Sequence, residues 1–151
     1  MSSPETDRFV RKWNRIHKET SRALRAAPDD HLDWRPREGM FTLGELLRHI
    51  PEAEFALVRS AIAGSTQKGG PQLTNKSVAE IAHSFDAEHE QMVREVSKLS
   101  LEQLGEEVEF HGQKMKRRVL LSGMTEHEIH HRGQLFTYYR LLGIQPPNLH
   151  D

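Results

Sequence analysis

The chain has 151 residues, 28% of them charged, a formal net charge of −1 and no cysteine. That length suits a single domain spanning residues 1–151, and the near-neutral charge gives no general pull toward nucleic acid or an anionic membrane. Missing cysteine excludes disulfides, thiolate metal sites, iron–sulfur clusters and a cysteine nucleophile, while apolar runs as short as Phe55-Ala56-Leu57-Val58 fall far below the ~20 residues of a spanning helix.

Four amphipathic stretches follow one another. In the first, from about Arg8 to Ala27, Phe9, Trp13, Ile16, Thr20, Leu24 and Ala27 recur at helical spacing. Pro28-Asp29-Asp30 ends it, and Trp34 in the loop-like DHLDWRPREGM segment is expected to anchor into the core. The second opens at Thr42, with Glu45 at capping-box spacing. Its stripe is Leu43, Leu46, Leu47, Ile50, Leu57 and Ile62, and Gly64 stops it. Pro51 falls inside it, where it removes the bond to the Leu47 carbonyl, so a kink near residues 47–51 is expected.

GSTQKGGPQLTN, from Gly64 to Asn75, has loop composition. The third helix starts at Ser77 with Glu80 as capping partner and a stripe of Val78, Ile81, Phe85, Met92, Val93, Val96 and Leu99. Val108, Phe110, Gly112 and Met115 suggest a short extended turn before the fourth helix, Lys116–Leu142, which Gly143 terminates. Four long helices with one apolar stripe each make an all-α four-helix bundle. Up-down-up-down order and a crossover variant both stay open, since connections of roughly 12–17 residues exceed what tight hairpins need and leave room for crossovers.

Ten histidines set the chemistry. A metal in this chain must be held by imidazole and carboxylate, which suits Zn, Ni, Cu or Fe rather than Mg or Ca. His127 and His131 stand one turn apart in the fourth helix. On a wheel they fall about 40° apart within the arc of Leu120, Met124, Leu135, Tyr138 and Leu142. Two imidazoles in an apolar surrounding need partners for four ring nitrogens, and one cation satisfies a nitrogen of each. His49, on the flank of the Leu46/Ile50 stripe, is the leading third ligand, with His89 as competitor. His17, His31, His83, His111 and His150 read as surface or loop residues.

The segment His127-Glu128-Ile129-His130-His131 also fits the H-E-x-x-H zinc-protease pattern, with Glu128 as base. Gln134 and Thr137 occupy the places where the extended motif needs Gly and His, so that reading is set aside. Arg132 and Arg140 are candidates for an anionic substrate group, Gln134 for orienting a ligand, and Gly133 for close helix approach. Lys114, Lys116, Arg117 and Arg118 form a local basic patch in a neutral chain, too little for nucleic-acid binding.

The run His127-x-x-x-His131-Arg132-Gly133-Gln134-Leu135, followed by Tyr139-Arg140-Leu141-Leu142-Gly143 and Pro146-Pro147, resembles the DinB/YfiT-like superfamily. So does Asp33-Trp34-Arg35-Pro36 followed by Thr42-Leu43-Gly44-Glu45-Leu46-Leu47-Arg48-His49. The resemblance implies a four-helix bundle in which His49, His127 and His131 hold a divalent metal, zinc or nickel. It also implies a homodimer and a thiol-dependent S-transferase acting on small electrophiles with a low-molecular-weight thiol. The alternatives are a metal-dependent hydrolase and a non-catalytic metal-binding stress protein. MSSPETDRFV opens the chain without an apolar signal core, and a cytoplasmic location without membrane or nucleic-acid partners is expected.

Overall fold

The computed structural model describes residues 2–150. Its long helices are α1 (Pro4–Arg25), α2 (Leu43–Ala63), α3 (Val78–Val96) and α5 (Arg117–Leu141); a single turn, α4 (Leu101–Leu104), and a hairpin precede α5. Three of the long helices begin with a capping side chain. Ser3 accepts from the Thr6 N–H, while Thr42/Glu45 and Ser77/Glu80 form the two reciprocal capping boxes expected from the sequence. A third box, Ser100/Gln103, starts α4. Pro51 does not break α2, which runs on through it with the ring buried. The extended turn is a hairpin of β1 (Glu107–Phe110) and β2 (Gln113–Lys116), antiparallel with Val108 opposite Met115. His111 and Gly112 turn its corner with φ of 49° and 80°.

Helix α1 packs on α3 and α5, and α2 packs on the same two. The pairs α1/α2 and α3/α5 therefore face each other across the diagonals of the bundle. Two apolar clusters fill the interior. One holds Ala23, Leu24, Leu43, Leu46, Ile50, Phe85, Leu135 and Tyr139, the other Trp13, Val58, Ala61, Met92, Val96, Leu121 and Met124. Reading which cluster each helix meets first gives the direction of travel. Helices α1 and α5 run one way, α2 and α3 the other. The segment 64–77 must therefore return along the length of the bundle, and at ~3.3 Å per residue it can. The other two connections cross a diagonal at one end. That is the physical reason for the long loops.

Side chains expected to serve a substrate or a partner are partly committed elsewhere. Arg117 is buried, its guanidinium donating to the carbonyls of Ala61 and Gln103. Arg118 pairs with Glu5 at 3.0 Å, so the basic patch is dispersed. Gly133 is exposed, with nothing from another element within 4 Å of where a Cβ would sit, so it serves no close helix approach. Among the described residues, no helix is long and apolar enough to cross a membrane.

Candidate metal centre

Helices α2 and α5 are direct neighbours, and the half-buried groove between them carries His49, His127 and His131. The three Nε2 atoms meet: His49 to His127 is 3.3 Å, His49 to His131 is 3.2 Å and His127 to His131 is 3.1 Å. Nitrogens held ~2.0–2.1 Å from a single cation are spaced in this way. His131 Nδ1 donates to Gln134 Oε1 at 2.7 Å, which turns its Nε2 lone pair toward two other imidazoles. Three Nε2 atoms at that spacing can share either protons or one cation. The residues present therefore fit a divalent metal.

The local electrostatics agree. Burial, followed by the neighbouring His131, lowers the pKa of His49. His127 is pushed down to about 4, first by burial and then by His131, His49 and His130. Neutral imidazole is the form that ligates. Phe41 lies against His49 with ring centroids 5.2 Å apart, and the Tyr138 hydroxyl donates to the Phe41 carbonyl at 2.9 Å. Gly39, Met40, Phe41, Gln134 and Tyr138 thus wall a shallow pocket that His131 also lines. Arg132 does not reach it as a free cation, because its guanidinium bridges Glu19 at 3.1 Å on α1.

A second donor group lies deep in the bundle. His17, Glu54 and His89 bring ligand atoms within 4.8 Å of one another, all three buried, and a set of that composition can hold a metal ion. His17 is thus not a surface residue: it is 8% exposed and stacks on His89 with ring centroids 3.7 Å apart. His89 joins this group and not the three-histidine one. The sequence signal was available, because His17 sits at i+4 from Trp13 and Glu54 at i+4 from Ile50, both stripe positions. Glu128, the base in the protease pattern, is only 2% exposed and its Oε2 accepts from the Thr20 hydroxyl at 2.8 Å. Among the described residues, it does not join the ligand atoms of the three histidines.

A family model of the DinB superfamily matches residues 12–135. The chain belongs to the DinB superfamily. It is similar to the uncharacterized protein YjoA of Bacillus subtilis (strain 168), with 32% identity over 119 residues that cover 76% of this chain and 75% of YjoA. The crystal structure of that DinB-like protein superposes with a TM-score of 0.76 at 25% identity, covering 94% of this chain and 96% of that one. A DinB-like protein from Bacillus cereus ATCC 10987 superposes with a TM-score of 0.80 at 24% identity, covering 93% and 94% of the two chains. The all-α bundle read from the sequence is therefore the DinB-like fold, of which the two-stranded hairpin is a minor part.

Proposed function

We propose that this DinB superfamily member is a divalent-metal-dependent protein whose centre is His49, His127 and His131, with zinc or nickel as the metal. The carrying observation is the mutual approach of three Nε2 atoms at 3.1–3.3 Å on a half-exposed groove. Three protein ligands leave coordination positions open, as catalytic sites require. A cation bound there would lower the pKa of a thiol or water at an open position.

The reaction we assign is S-transfer from a low-molecular-weight thiol to a small electrophile: the S–C bond forms, the leaving group departs, and the thiol proton goes to solvent. A few residues around the centre support it. Gln134 holds the His131 tautomer. Tyr138 fixes the segment that carries Phe41. Met40, Phe41 and Tyr138 give the pocket an apolar wall suited to an uncharged electrophile. The same reading takes the protein as a cytoplasmic homodimer, and sedimentation velocity tests the dimer.

The functional test incubates zinc- or nickel-loaded protein with a panel of small thiols and electrophiles and measures S-conjugates by mass spectrometry. Conjugate formation by the parent, lost in His131→Ala, is expected. No conjugate with any pair would overturn the transferase reading and leave a non-catalytic metal binder.

A further inference from the structure

The two apolar clusters of the bundle are separated by a polar layer, and each long helix contributes one side chain to it. Along α1 the order is Trp13, His17, Ala23; along α2, Ile50, Glu54, Val58; along α3, Phe85, His89, Met92; along α5, Met124, Glu128, Leu135. His17, Glu54, His89 and Glu128 are 8%, 3%, 5% and 2% exposed. A buried polar layer is costly unless every group is satisfied. This one is not. Among the described residues, four buried side-chain atoms have no hydrogen-bond partner, and three of them are His17 Nδ1, Glu54 Oε2 and Glu128 Oε1.

The ring nitrogens facing away from the layer are tied down. His17 Nε2 donates to Asp86 Oδ1 at 2.8 Å, and Asp86 is itself held by Arg25 at 2.7 Å. His89 Nε2 donates to Asn14 Oδ1 at 2.7 Å. Burial lowers the pKa of His89, which favours the neutral ring. Its Nδ1 lies 3.2 Å from Glu54 Oε1, while His17 Nδ1 stands 3.8 Å from Glu54 Oε2 with neither of those two atoms hydrogen-bonded. The ligand atoms of His17, Glu54 and His89 thus lie within 4.8 Å of one another around unpartnered polar atoms. A histidine whose outer N–H is fixed by a carboxylate or an amide carbonyl, with its inner nitrogen bare, is oriented as a metal ligand is.

We propose that the core layer is a second cation site, independent of the three-histidine centre, in which His17 Nδ1, His89 Nδ1, Glu54 and Glu128 hold a first-row divalent cation. Two carboxylates neutralise the cation's charge, so the site places no net charge in the apolar interior. Two imidazoles with two carboxylates favour Zn, Fe, Mn or Co over Ca or Mg. Each long helix supplies one ligand, so the cation ties together both diagonals of the bundle.

The test strips metal from the protein with a chelator in denaturant and refolds it with Co²⁺. Refolding gives the ion access to a buried site. Bound cobalt is counted by elemental analysis after dialysis, with circular dichroism as the fold control. The parent is expected to bind two equivalents, and the His127→Ala/His131→Ala double variant, altered only in the half-exposed groove, one. Glu54→Gln is expected to lose the core equivalent and keep the other. Asp86→Ala, a change at the surface, is expected to weaken the core site ~10–100-fold. A folded double variant that binds no cobalt, from a parent that binds one equivalent, would overturn the core site while leaving the three-histidine centre intact. The layer would then be a buried proton-sharing network. A single equivalent that survives in the double variant and vanishes in Glu54→Gln would keep the core site and overturn the groove centre. Should Glu54→Gln fail to fold, the double variant still decides.

Discussion

His131 and Gln134 are joined along one turn of α5: the imidazole Nδ1 donates to the amide Oε1 at 2.7 Å. The bond sets the tautomer of that imidazole without touching its Nε2. Gln134 is exposed, so its side chain adds little to folding. Gln134→Leu is expected to weaken metal affinity at the groove centre ~10–100-fold with the unfolding midpoint nearly unchanged. Competition with a chromophoric chelator measures the first and a thermal melt the second. A fall in stability with unchanged affinity would make the bond structural.

The groove histidines also set a pH response. His49 and His127 have depressed pKa values in the folded chain, His127 at about 4, against ~6.5 when unfolded. Below ~6.5 the unfolded chain therefore binds more protons than the folded one. Their contribution to stability is complete above that pH and is lost as pH falls toward about 4. Protons displace a bound cation over the same window. Thermal melts from about pH 7 to about pH 4 are expected to show a falling midpoint, less steep in His127→Ala. Equal slopes in the two proteins would contradict this.

Phe85 is 1% exposed and lies under His17, with ring centroids 4.1 Å apart. It seals the polar layer from one apolar cluster. Phe85→Ala is expected to cost about 3–5 kcal/mol, read from urea unfolding. A loss under about 1 kcal/mol would mean the core refills the space.

Arg117 fastens the hairpin end of α5 to α2 and α4 through the carbonyls of Ala61 and Gln103. Removing it strands buried acceptors. Arg117→Ala is expected to cost about 2–3 kcal/mol, again by urea unfolding, without changing metal content.

What was legible in the sequence follows from which signals are local. Helix starts were readable because Thr42/Glu45 and Ser77/Glu80 satisfy end N–H groups within one turn. The three-histidine group was readable because i, i+4 spacing already brings two imidazoles together and the third flanks the stripe of the neighbouring helix. The core layer escaped because it is assembled from four helices, and its residues are polar. His17, Glu54 and Glu128 each occupy a stripe position that apolar patterning reads as a gap. Helix direction escaped for a related reason: the reversal depends on a loop running the length of the bundle, and no periodicity records that path. Arg117 read as part of a basic patch because its partners are backbone carbonyls, invisible in any pattern of side chains.

The most direct measurement is elemental analysis of the purified protein beside His49→Ala, His127→Ala and His131→Ala, each checked for folding. One equivalent of zinc or nickel is expected to disappear in every variant relative to the parent. Metal content unchanged in all three would contradict a centre built on these histidines.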